Sequence, residues 1–465
     1  MEMVKKVFIG ILLSGVVCSA QSEDLLDIYN QALEFDPIYR ASISQHDADK
    51  EVYDQALAVL LPTIKLDLSH TETQQDIVSA DNDVYGSGST DYPTDELNLS
   101  LTQSIYSFSN WAYFAQAKED VKRIAAELEG IRQELILRVA EAYFTVLKKR
   151  DTYLGIDAEV KSLQKHYERV ELQLSNGLAR TTDLLDSEAR YLQAQARQIE
   201  IGNELRDALQ ALYEITGTLP SSMSTLGEEL TLARPEPFAV ETWLENAQKN
   251  NPSILAKQNA MSAALEEIRR QEGGHYPTLD FVASYNKSET EGSLFGGGSE
   301  VDTSTYMVQL NIPIYAGGAV SSKVRETENL YNKSKDELEE VWRKTSRETR
   351  AAFTGVTSAI SKVKALQKSV EAYELAVEVK QESFESGVAT SVTVLDAVRD
   401  LFIARTEYSA ARYDYLYNNL RLKRAVGTLT EFDLQQINNA LQGEEVPTDL
   451  RALDEDLELT NLVLY

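Results

Sequence analysis

Leu61-Pro62-Thr63-Ile64-Lys65-Leu66-Asp67-Leu68-Ser69 sets isoleucine and leucine against lysine, aspartate and serine at period two, directly after a proline. One apolar and one polar face at that period is the pattern of a β-strand separating two media. The same opening, Tyr276-Pro277-Thr278-Leu279, recurs 215 positions later. Asp36-Pro37-Ile38 is answered by Asn251-Pro252-Ser253 at the same offset, and Ser104-Ile105-Tyr106 by Pro313-Ile314-Tyr315 at 209. Asn176-Gly177-Leu178-Ala179 is answered by Ser386-Gly387-Val388-Ala389, and Ile215-Thr216-Gly217 by Ala425-Val426-Gly427, both at 210. A near-constant offset over five landmarks predicts one long unit written twice.

Three further strands share the alternation. Leu97, Leu99 and Leu101 form one face, as do Leu279, Phe281, Ala283 and Tyr285, and then Tyr306, Val308, Leu310, Ile312 and Ile314. Residues 74–94 and 286–304, rich in Gly, Ser, Asp and Glu, read as exposed loops between paired strands. An ordinary half-buried hairpin against helices would give the same pattern. The aromatic cluster Tyr106, Phe108, Trp111, Tyr113 and Phe114, where strand passes into helix, fits an interfacial belt or ordinary core aromatics.

Between Pro93 and Pro220, and again between Pro313 and Pro447, no proline occurs. There the apolar spacing turns helical. Ile124, Leu128, Ile131, Leu135, Val139, Ala142 and Val146 run in steps of three and four, as do Val160, Leu163, Tyr167, Val170 and Leu174. Leu395, Val398, Phe402, Thr406, Ser409, Tyr413, Leu416 and Leu420 follow the same rule. A helix over 109–174 would be ~100 Å long. Each long helix ends near a glycine, Gly177 or Gly387, and a second follows, so two coiled-coil hairpins hold most of the mass.

The charge is acidic, 45 basic against 74 acidic residues for a net −29, which argues against nucleic acid as a partner. Lys5 and Lys6, the apolar run Val7 to Val17 and Cys18-Ser19-Ala20 read as a secretory signal over 1–20, with a lipoprotein signal acylated at Cys18 as the rival. Beyond it no run of 18 apolar residues exists, so any membrane span must be a strand. The expected organisation is a signal at 1–20, a first repeat at 21–220, a linker at 221–240, a second repeat at 241–430, and a short helix with an acidic, mobile tail at 431–465. Four strands cannot enclose a lumen, and an open sheet edge is not tolerated in lipid. Strands that span a membrane would therefore require several copies to pool them around an axis.

With Val394-Leu395-Asp396-Ala397, Tyr413-Asp414-Tyr415-Leu416 and Ala425-Val426-Gly427-Thr428-Leu429 added to the duplication, the chain resembles the TolC family of outer-membrane channels over residues 21–443. The resemblance implies a mixed fold of α and transmembrane β structure. Long coiled-coil helical hairpins would form a periplasmic tunnel, and four strands per chain would join a barrel shared by a homotrimer in outer-membrane lipid. It implies a Gram-negative exit duct for efflux or type I secretion, gated at its periplasmic tip. A periplasmic adaptor protein and an inner-membrane transporter, ABC-type or proton-driven, would be its partners. Gly177 and Gly387 match the hairpin turns that meet the adaptor, and Asp396 the second of two acidic rings at the constriction. Thr393 stands where the first ring would be. Asp183 matches a residue of the closed-state links, whereas Phe384 and Ala389 stand where the family has a latching tyrosine and arginine, and Arg180 is the candidate replacement cation.

Catalysis finds no footing. His46, His70, His166 and His275 are scattered without metal-ligand spacing, and Gly296-Gly297-Gly298 has no lysine for a phosphate loop. The expectation is no enzyme, no cofactor and no metal. The rival reading is an exported, elongated coiled-coil scaffold or adhesin without a pore. A periplasmic adaptor is a further rival, but it would not carry whole-length duplication or four barrel-like strands.

Overall fold

The structure, a computed structural model, describes residues 23–78, 88–227, 230–292, 297–386, 388–441, 443 and 445–447. The signal segment, the turn residue Gly387 and the acidic tail beyond Pro447 lie outside the described residues. The chain divides into two compact units.

One unit takes the described residues up to Arg40, then Arg132–Trp243, then those from Thr349 onward. It begins with α1 (Leu25–Phe35), started by a capping box in which Asp24 accepts from the Leu26 and Asp27 amides and Asp27 accepts back from the Asp24 amide. The long α4 (Phe108–Ser175) enters this unit at Arg132 and is followed by α5 (Thr181–Thr216). The α8 helix (Ala319–Glu385) enters it at Thr349 and is followed by α9 (Ser391–Val426) and α10 (Glu431–Asn438). At 68 and 36 residues, then 67 and 36, the two hairpins are nearly equal. The expected helix over 109–174 is exceeded by one residue at each end.

Of the apolar steps read from the sequence, Leu135, Val139, Val146, Tyr413, Leu416 and Leu420 face the core of this unit, whereas Ile124, Leu128 and Ile131 lie in the other. Leu135, Val139 and Tyr143 of α4 meet Leu25 and Ile28 of α1, Leu212 of α5, Val356 of α8, Leu420 of α9 and Leu434 of α10, all fully or almost fully buried. A smaller cluster further along α4 joins Ile156, Val160 and Leu163 to Ala194 of α5 and Leu395 of α9. Asp36, itself buried, accepts from the Ile38 amide at the Pro37 helix start and pairs with Arg138. A three-residue β3 (Ser222–Ser224) pairs antiparallel with β6 (Glu445–Pro447). Those residues were expected in the linker and the acidic tail; backbone pairing draws them into this unit without any periodic side-chain signal.

The other unit is Ala41–Ile131 and Leu244–Glu348. It holds most of α2 (Pro37–Lys50), α3 (Val52–Ala58), most of α6 (Val240–Asn250), α7 (Pro252–Glu272) and the starts of α4 and α8. Asn251 caps α7 by accepting from the Ser253 and Ile254 amides, with Pro252 in the first turn. Helix α7 packs closely on the start of α4. A Cβ on Gly273 would stand 2.2 Å from Ser109 Oγ, and that hydroxyl donates to the Arg270 carbonyl at 2.9 Å.

The sheet of this unit is antiparallel throughout, in the order β1 (Thr63–Ile77), β2 (Gly88–Tyr106), β4 (Thr278–Thr290) and β5 (Ser299–Asn311). Two hairpins, one from each half of the sequence, thus join through β2 and β4 and leave β1 and β5 as edges. The strands are 13 to 19 residues long, so much of 74–94 and 286–304 is strand rather than loop. The alternation ends sooner because past Leu68 both faces turn polar, and a strand polar on both faces gives no period-two signal.

Candidate functional site

The register assigns the two faces of the sheet row by row. Ile64, Leu101, Ala283 and Tyr306 stand abreast on one face, and Leu66, Leu99 and Tyr285 two residues on. In the other direction the same face continues with Phe281 beside Val308 and Leu279 beside Leu310. The opposite face carries Lys65, Ser100, Ser284 and Thr305 abreast, then Asp67, Asn98, Asn286 and Thr303. On the apolar face Ile64 and Leu68 are each 70% exposed and Tyr306 78%. An apolar band of this kind, interrupted by Gln103 beside Phe281 and Ser304 beside Tyr285, needs an apolar medium or partner to cover it. Among the described residues no helix is long and apolar enough to cross a membrane.

That face changes character at Leu68, whose row sets Lys287 and Asp302 beside Leu97. His70, Asp95, Glu289 and Glu300 form the next row, and Lys287 pairs with Glu300 at 2.5 Å. The band therefore has a charged rim on the side of the strand ends Ile77 and Thr290. At its other limit are Tyr106 and Trp111, exposed, while Phe108 packs edge-on to Tyr276 at 5.0 Å. The aromatic cluster thus divides between surface and packing.

The expected tip residues lie at the ends of the two helical hairpins. Gly177, at φ 71°, closes α4: its amide donates to the Leu174 carbonyl at 2.9 Å and that of Leu178 to Gln173 at 2.8 Å, the paired bonds of a Schellman turn. At the second turn the Val388 amide makes the matching bond to the Ser383 carbonyl at 2.9 Å, and the Ala389 amide reaches the same oxygen at 3.1 Å. Asp183 is engaged as a helix-start acceptor, taking the Arg180 backbone amide at 3.2 Å. Among the described residues the Arg180 guanidinium makes no ion pair. Thr393 donates its hydroxyl to the Thr390 carbonyl at 2.6 Å. Phe384 packs on His166 of α4 with ring centroids 6.4 Å apart, and burial, with Arg169 nearby, holds that imidazole below its ordinary value.

Asp396 does not stand alone. Its Oδ1 accepts from Arg190 Nη1 of α5 at 2.8 Å, and Arg399 Nη1 lies 3.6 Å from the same oxygen. Arg190 also approaches Asp186 at 3.6 Å, and Arg399 donates to Asp400 at 2.9 Å. Deeper along the hairpin Arg197 reaches Glu159, whose side chain is 6% exposed, at 2.7 Å. The sequence reading missed Arg190 and Arg399. Their spacing from Asp186 and Asp396, four and three residues, was the available signal. Among the described residues no group of His, Cys, Asp or Glu is arranged to hold a metal.

The sequence model of the family described as outer membrane efflux protein matches residues 28–218 and again 243–428. The chain is 30% identical over 454 residues to the outer membrane protein TolC of Escherichia coli K12, covering 95% of this chain and 90% of that one. It is 28% identical over 440 residues to the proteases secretion protein PrtF of Dickeya chrysanthemi, covering 93% and 94%. Among solved structures, the Campylobacter jejuni CmeC outer membrane channel superposes with a TM-score of 0.75 at 14% identity, over 90% of this chain and 89% of that one. Fold, sheet faces and sequence match agree: the chain belongs to the outer membrane efflux protein family.

Proposed function

We propose that the chain is one of three identical copies forming an outer-membrane exit duct for efflux or type I secretion. The observation that carries this reading is the sheet, with one apolar and one polar face and two open edges. Pairing β1 of one copy with β5 of the next satisfies both edges, covers the apolar band with lipid and turns the polar rows toward a wet lumen. Three four-stranded sheets then make a twelve-stranded barrel, with the helical hairpins continuing as a tunnel in the periplasm. Each sequence repeat, 21–220 and 241–430, supplies one strand pair and one helical hairpin.

The energy for transport comes from elsewhere. A periplasmic adaptor meets the hairpin turns at Gly177 and Gly387, and an inner-membrane transporter loads the cargo. Asp396 and Thr393 line the narrowest ring, and Asp183, Arg180, Phe384 and Ala389 flank it where neighbouring copies meet. Opening is a shift of packed helices at the tip that widens this ring.

A thiol test addresses the ring directly. The only cysteine of the sequence is Cys18, in the expected signal. Purified Asp396→Cys oligomers in planar bilayers should lose conductance on adding a bulky, charged methanethiosulfonate, while the native protein does not. Unchanged conductance in the modified variant would move the constriction away from Asp396. The mass of the detergent complex, expected at three chains, separately tests the shared barrel.

A further inference from the structure

We propose that Arg190 sets the ion preference of this duct by pairing Asp396 across α5 and α9, an inference that rests on the constriction reading above. Asp396 is 38% exposed and Arg190 29%, so both border water while their polar atoms meet at 2.8 Å. Arg399 flanks the same carboxylate oxygen at 3.6 Å, and Asp186 and Asp400 each engage one of the two arginines. Three carboxylates share two guanidinium groups, which leaves a single net negative charge per copy in this cluster.

A ring of unpaired aspartates gathers cations and repels anions. Here each aspartate of the ring carries its own countercharge, delivered by the same chain from the neighbouring helix. In energy a half-exposed pair is modest. Its consequence lies in where the charge sits: the positive group reaches the ring from α5, so ion preference depends on a residue 206 positions from the aspartate. The resulting duct discriminates weakly between cations and anions and suits acidic as well as basic cargo.

Reversal potentials in a KCl gradient read this out. The native protein should prefer K+ over Cl− only weakly. Acting through water over about a Debye length, three charges change the permeability ratio about fourfold. Arg190→Gln should therefore raise the K+ to Cl− ratio by about that factor, and Asp396→Asn should lower it to unity or below. An Arg190→Gln ratio equal to the native one overturns the proposal, while a thiol block at Asp396→Cys would leave the constriction reading standing. No thiol block overturns both. If Arg190→Gln oligomers fail to assemble, Asp396→Asn decides alone: a ratio at or below unity supports the pairing, and one still above unity overturns it.

Discussion

At Gly177 the backbone takes φ 71°, and nothing lies within 4 Å of where a Cβ would stand. Any cost of a side chain there is backbone strain alone, about 1–2 kcal/mol for an L-residue in the left-handed region. Gly177→Ala should therefore speed exchange of the Leu178 amide, which closes the turn on Gln173, about 5- to 30-fold; unchanged protection would mean the turn does not depend on this geometry. His166 offers a second residue-scale test. Its folded value lies below the ordinary 6.5, so an opened tip binds the proton more readily than a packed one. The contribution of the neutral ring is complete above pH 6.5 and is lost as pH falls from there toward the folded value. Amide protection around Phe384 should drop on acidification through that window, and protection that holds or rises would refute the assignment. The sequence singles out Asp396 as a constriction candidate because its neighbours Val394, Leu395 and Ala397 carry the family pattern. Arg190 went unmarked: its spacing from Asp186 signals a local ion pair, but its pairing with Asp396 needs α5 laid against α9.

Among the elements, the long helices were the most legible, since proline-free runs with steady three- and four-residue steps admit one reading. The strands were legible only where they separate apolar from polar surroundings. Residues of β1 after Leu68 remain strand through Ile77, yet His70 and Glu72 stand on the face where leucine stood before. The short β3 and β6 left no mark, being three residues each and held by backbone bonds. The face assignment makes its own prediction. Ile64→Arg places a charge in the middle of the apolar band, in the row between those of Phe281 and Leu66, at a cost of about 2–4 kcal/mol near a bilayer midplane. Asn98→Arg, on the polar face beside Asp67 and Asn286, should be tolerated. Comparing the fraction of each variant that reaches the folded oligomer in lipid checks this, and equal yields would reverse or erase the assignment of faces.

At the scale of the molecule, duplication could be read from five landmarks, but the division into compact units could not. Each unit draws on both halves of the sequence, and neither is a repeat. The landmarks report ancestry of the segments, whereas compactness reports which segments bury each other. The joining of β2 to β4 and the core shared by α1, α4, α5, α8, α9 and α10 are contacts between halves. This interleaving has a consequence in time. The Leu25 amide is held by the Asn438 side chain at 3.0 Å, 413 residues later in the chain. At ribosomal speeds of about 5–20 residues per second, the first helix waits on the order of 20–80 s for that partner to exist. Until then its leucines remain available to any passing strand or chaperone. The newly made polymer must therefore be kept open and guarded until α10 has emerged, and a late segment is the one that lets the first helix fold.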